Sequence, residues 1–207
     1  MPSVPPPADF ARAQLRLHTI PAGQTFGRIY LARYPDPLGY GKTPSRFSDP
    51  RRLTPANRFG VLYLGETVKV CFLEAYLRDR RDGLIGDLPI PISDFYDRHY
   101  AEIETTAPLT LVDLRDDAAI VMGVPTDVAK ASRQTLGRKW SVAFHQHGSR
   151  PDGIIYPSRL NGHTNLAIYD RAISKLKAGR VRKLIAAPGL ATVLDDLQVV
   201  IAEPDPS

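Results

Sequence analysis

The 207 residues contain one cysteine, Cys71. No internal disulfide can form, and a lone cysteine in an apolar stretch reads as a small core residue in a reducing cytoplasm. No run of about 18 apolar residues occurs, so nothing in the sequence reads as a membrane span. The opening MPSVPPPADF has neither a basic start nor an apolar segment, which argues against a secretory signal. Neither GxGxxG nor GxxxxGK[ST] is present, so any nucleotide is held without a glycine-rich phosphate cradle. There is no GxSxG elbow, which argues against an α/β-hydrolase. His145, His147 and His163 lack the spacing and the Cys or acidic partners of a zinc site, and ordinary surface or core histidines are the expectation. Repeats and heptads are also missing.

What is present suits one sizeable core: 43% hydrophobic residues, a net charge of +5 and a pI of about 9.4. Such a mild excess of positive charge fits an anionic ligand as well as nucleic acid. Residues 1–12 form a Pro-rich leader expected to be disordered, and 13–203 a single α+β domain. Strands are expected at 15–20, 26–31, 61–64, 109–114, 153–156 and 165–169, with 199–202 closing a sheet edge. Residues 34–59, rich in Pro, Gly, Ser, Asp and Arg, form a long loop of the kind that carries function. Thr126 is expected to cap a helix over 127–136, with another over 140–147. The basic cluster Lys175, Lys177, Arg180, Arg182 and Lys183 reads as a solvated helix face and loop, with a nucleic-acid patch as the sharper alternative.

The most informative stretch is VLYLGETVKVCFLEAYL, residues 61–77. A buried strand ends at Gly65, and Thr67 is placed to cap a helix. From Val68 to Leu77 only Lys69 and Glu74 are neither apolar nor aromatic, so the helix must be enclosed on most sides. A polar group there costs about 2–7 kcal/mol unless it is partnered. Glu74 is therefore half of a structural ion pair, an acid at the rim of the core, or a chemical group. Further polar residues stand in stretches built for packing or turning: Arg28 in FGRIYL, Arg46 in PSRFSDP, Tyr63 in VLYL, and Ser158 and Arg159 in GIIYPSRLNG. Each also has a plain reading, as a structural bridge, a core tyrosine or a turn residue.

As an ordered set these residues resemble the RES domain, a family named for its Arg, Glu and Ser. GRIY at 27–30, SRF at 45–47, VLYL at 61–64, CFLEAYL at 71–77 and DGIIYPSR at 152–159 follow the family pattern, with Glu74 eleven residues after Tyr63. The match spans about residues 26–170; Pro44-Ser45-Arg46-Phe47 departs from the commoner G-G-R-W. The resemblance implies an ADP-ribosyltransferase-like fold of mixed sheets with flanking helices. It also implies a bacterial toxin that uses NAD as substrate, cleaves its nicotinamide–ribose bond and hands ADP-ribose to phosphate, water or a protein. It further implies a helix-turn-helix antitoxin of Xre type as partner, with nucleic acid engaged only through that antitoxin. Metal is not called for, and a homodimer stays open. On this reading Glu74, Arg46 and Ser158 are catalytic, and Arg28, Arg46, Tyr63 and Ser158 bind NAD. The chemistry fits: planar guanidinium groups bind a pyrophosphate in bidentate fashion, and a carboxylate stabilises a ribosyl oxocarbenium ion. The readings from other classes are an RNA-cleaving or nucleic-acid-binding toxin using His145, His147 and the basic cluster, and a catalytically silent interaction domain on the same fold.

Overall fold

In a computed structural model, which describes residues 4–203, ten strands and six short helices build a single α+β domain, the class expected from the sequence. The strands are β1 Leu17–Ile20, β2 Thr25–Leu31, β3 Val61–Gly65, β4 Leu88–Pro91, β5 Arg98–Thr105, β6 Leu109–Asp113, β7 Gly153–Pro157, β8 Thr164–Tyr169, β9 Leu176–Lys183 and β10 Val199–Ala202. The helices are α1 Val68–Phe72, α2 Ile92–Tyr96, α3 Ala118–Val121, α4 Asp127–Lys130, α5 Thr135–Gln146 and α6 Leu190–Asp196. Eight strands form one mixed sheet in the order β1-β6-β7-β8-β3-β2-β5-β9, in which only β6 and β7 run parallel.

The runs VLYL and GIIY are apolar almost throughout because the sheet centre is covered on both faces. The two-residue period sends Ile154 and Tyr156 toward Trp140 and Phe144 of α5, while Ile155 packs with Leu111, Leu166 and Ile168 on the other face. A third cluster joins Phe72 of α1 to Phe95, Tyr100, Leu184 and Leu190 beside β5 and α6.

The feature that makes the site is a split. β2 and β3 meet at a single pair, Gly27 and Gly65, so two half-sheets diverge from that point. Helix α1 closes directly over it. A Cβ on Gly65 would stand 2.9 Å from Cys71 Sγ and 3.0 Å from Val70 Cγ1, and one on Gly27 would stand 2.9 Å from the same sulfur. Gly65→Ala is therefore expected to cost about 1–3 kcal/mol by overpacking. Gly148→Ala, with nothing within 4 Å of the added carbon, is the control. Equal denaturation midpoints for the two variants would contradict this view of the split.

Several expectations are corrected. The helix expected over 127–136 ends at Lys130, because Ala131 turns extended and its carbonyl accepts a hydrogen bond from Arg46. α5 then runs unbroken across 135–146, and Thr126 makes no side-chain cap. The helix expected over 68–77 starts as drawn, with Thr67 Oγ1 accepting from the Val70 N–H at 3.2 Å, but widens into a π-helical turn at Leu73–Leu77. Lys175 ends a short 3-10 helix, but the rest of the basic stretch, 176–183, is neither helix nor loop. It forms the edge strand β9, paired with β5, whose own strand was not anticipated. β10 pairs with β4 in a separate two-stranded parallel sheet.

Residues 1–3 of the leader expected to be disordered lie outside the described residues. The rest is held in place. Phe10 is buried against Trp140 and Phe144, and the Trp140 indole N–H donates to the carbonyl of Val4 at 3.0 Å. Among the described residues no helix is long and apolar enough to cross a membrane.

Candidate active site

The divergence of β2 and β3 opens a cavity of about 320 Å³. Arg28 of β2, Arg46 of the 34–59 loop, Tyr63 of β3 and Glu74 of the π-helical turn all line it. Four of the five residues to which the resemblance assigns a role thus face one space.

Ser158 does not. It is buried behind Glu74, just past the end of β7, and its hydroxyl donates to Glu74 Oε1 at 2.7 Å. That hydroxyl also accepts from the Leu160 N–H at 3.1 Å, so its hydrogen bonds serve to aim the carboxylate. A second donor, Nδ2 of the buried Asn165 on β8, reaches the same Oε1 at 3.2 Å. Both donors act on one oxygen. The pair fixes the carboxylate plane while Glu74 remains half-buried at the cavity wall. Asn165 was missed in the sequence because an asparagine inside TNLAIY carries no spacing signal until β8 pairs with β3 and β7.

Tyr63 explains how Arg46 is placed. Its phenolic oxygen accepts from the Phe47 N–H at 2.8 Å and shares a 2.9 Å hydrogen bond with Ser45 Oγ. The other side of this turn is gripped by α5, where Arg138 Nε donates to the Ser45 carbonyl and Ser141 Oγ to the Phe47 carbonyl at 2.7 Å. The departure from G-G-R-W is thereby accommodated, since Ser45 takes part in the network that anchors the turn. Arg46 itself is 8% exposed and donates to the Ala131 carbonyl at 2.8 Å. Burial lowers its pKa, with partial compensation from nearby Tyr156 and Glu74. Burial likewise raises the pKa of Tyr63 and holds that of Tyr156 well above the usual phenol value. Both tyrosines therefore stay neutral hydroxyls beside the carboxylate.

Arg28 has a second task. Its terminal nitrogens donate to the carbonyls of Pro37 and Gly39, the latter at 2.6 Å, and burial lowers its pKa to about 10. It clamps the start of the 34–59 loop against the cleft, a role the sequence pattern did not reveal.

His145 and His147 are placed by packing. His145 stacks on Phe59 with ring centroids 4.2 Å apart, and burial lowers its pKa to about 4. The buried His147 bonds the Ala13 carbonyl through Nε2 and accepts the Ser149 N–H at Nδ1, tying the chain just after the leader to the end of α5. Among the described residues no group of three or more His, Cys, Asp or Glu is arranged to hold a metal ion.

Geometry defines the class: a mixed α+β domain with a split sheet, in whose cleft one oriented carboxylate faces guanidinium and phenol groups. A sequence profile of the RES domain matches residues 17–188, and the chain belongs to that family. It is similar to a probable toxin, y4kH, of Sinorhizobium fredii (strain NBRC 101917 / NGR234), at 41% identity over 126 residues covering 60% of this chain and 99% of that protein. Its fold matches a chain in the crystal structure of the M. tuberculosis MbcT–MbcA toxin–antitoxin complex with a TM-score of 0.61 at 17% identity, covering 87% of this chain and 91% of the other.

Proposed function

We propose that this chain is the toxin of a toxin–antitoxin pair, acting in the cytoplasm as an enzyme that cleaves the nicotinamide–ribose bond of NAD. The observation that carries the reading is the Glu74 carboxylate, fixed through Oε1 by Ser158 and Asn165 in a cleft that also holds Arg46. Breaking the glycosidic bond leaves nicotinamide as a neutral leaving group and builds positive charge on the ribose carbon. A carboxylate already aimed there stabilises that charge without reorganising, and partial exclusion of water strengthens the effect. Its free oxygen is placed to accept hydrogen bonds from the ribose hydroxyls. Phosphate, water or a protein side chain then supplies the oxygen that bonds to the ribose carbon, and the acceptor's proton leaves to solvent. Arg46 and Arg28 serve the diphosphate, and the Tyr63 ring flanks the nicotinamide ribose.

Support for a toxin comes from membership of the RES family, the 41% identical probable toxin and the fold shared with the MbcT–MbcA complex. An enzyme that consumes NAD harms its own cell. The partner is accordingly a restraining antitoxin of helix-turn-helix type, with an acidic segment suited to the positive cleft. Expression of the wild-type chain alone is expected to arrest growth and lower cellular NAD, whereas Glu74→Gln at equal abundance leaves both unchanged. Normal growth and NAD with the wild-type chain would remove the basis for the toxin reading. The nucleic-acid alternative has less support, since His145 and His147 are taken up in packing.

A further inference from the structure

Arg78 ends the π-helical turn that carries Glu74, and it does so with φ 32° and ψ −114°. Residues with a Cβ rarely occupy that region, whereas glycine enters it freely. Strain of this kind persists where the surrounding structure enforces it, and it clusters at functional sites. Here the turn brings Arg78 to the rim of the Glu74 cavity, where its charge acts on both Tyr63 and Tyr156. The same residue lines a second, more open cavity of about 490 Å³, bounded otherwise by Glu74, Ala75, Tyr76 and Arg80. The two spaces thus lie side by side, with Glu74, Ala75 and Arg78 in the walls of both. Tyr76 in that annex is fixed by donating to Asp94 and accepting from Arg80 at 2.7 Å, with the Arg80 guanidinium 4.3 Å above its ring.

We infer that Arg78 is a substrate-binding residue that grips the diphosphate where the dinucleotide passes from the Glu74 cavity into the annex; this rests on the NAD reading above. Glu74 lies within the π-helical turn and Arg78 caps its end, and both side chains line the inner cavity. Nicotinamide and its ribose occupy the inner cavity beside Tyr63, and the adenosine half lies in the annex against Arg80, which covers the buried Tyr76 ring. Arg28 and Arg46 spend part of their donors on backbone carbonyls, and Arg78, exposed at the junction, adds a further guanidinium to theirs. Its planar fork suits a diphosphate in a way that a lysine does not.

The test uses Arg78→Gly and Arg78→Lys in the full chain. It reads kcat and KM for NAD, the affinity for ADP-ribose, and the melting temperature. Arg78→Gly relieves the backbone strain, so melting should rise. KM should increase and ADP-ribose affinity should fall together by roughly 10–100-fold, the scale of lost charged hydrogen bonds, with kcat little changed. Arg78→Lys should fall between wild type and glycine. Wild-type KM and ADP-ribose affinity in Arg78→Gly would overturn the inference. So would a loss confined to kcat, which would mean that Arg78 acts by shaping the turn under Glu74. Were the glycine variant to misfold, undiminished ADP-ribose affinity in Arg78→Lys would overturn it equally. A wild-type protein that binds ADP-ribose but releases no nicotinamide would sink the enzymatic reading and leave the Arg78 contact to be judged by affinity alone. One that does neither would end both.

Discussion

Replacing Glu74 with Gln is expected to lower nicotinamide release by about 10²–10³-fold, the scale seen when one pre-organised electrostatic group is removed. The structure makes this variant a clean probe. Both donors to Glu74, Ser158 Oγ and Asn165 Nδ2, converge on Oε1. A glutamine can present its carbonyl oxygen at the same point and keep both hydrogen bonds. Shape and packing are retained and only the charge is lost, so the melting temperature and NAD affinity should change little. A structural role predicts the opposite: a marked drop in melting temperature, with turnover preserved in the protein that still folds. Measuring both on one variant separates the two.

The second large effect is expected at Arg46. Arg46→Lys keeps the charge beside Glu74 but loses the planar fork, and should weaken NAD binding by about 1–3 kcal/mol with the fold intact. Arg28→Lys makes an informative contrast. It removes the clamp on Pro37 and Gly39, so weaker NAD binding should come with faster proteolysis or amide exchange in the 34–59 loop. Unchanged NAD affinity in both variants, measured by calorimetry, would reduce the two arginines to structural bridges.

Much of this cleft was legible in the sequence because its residues interrupt patterns. An acid inside the apolar run 68–77, an arginine in a strand and an arginine in a turn each conflict with local packing, and such conflicts mark functional sites. The buried strands β3, β7 and β8 were legible for the opposite reason, as short apolar runs bounded by turn residues. What stayed hidden depends on contacts distant in the chain. β9 was misread because Lys177, Arg180, Arg182 and Lys183 suggest a solvated helix or loop, and only pairing with β5 makes them an edge strand. Charge on an edge strand is itself a device against unwanted pairing. Ser158 was found but not its place, since nothing local tells a substrate contact from a residue that aims a carboxylate 84 positions away. The split at Gly27 and Gly65 was equally out of reach. It arises from the approach of α1, and a glycine in a strand announces a close contact without naming the partner.

The central claim is that the oriented carboxylate in this split-sheet cleft breaks the nicotinamide–ribose bond. Proton NMR of purified protein incubated with NAD, with and without inorganic phosphate, follows that bond directly. The account predicts that free nicotinamide resonances grow in step with loss of the NAD ribose anomeric signal, and that Glu74→Gln, folded and at the same concentration, leaves the spectrum nearly static. An unchanged NAD spectrum with folded wild-type protein, or equal nicotinamide release by both proteins, would contradict it.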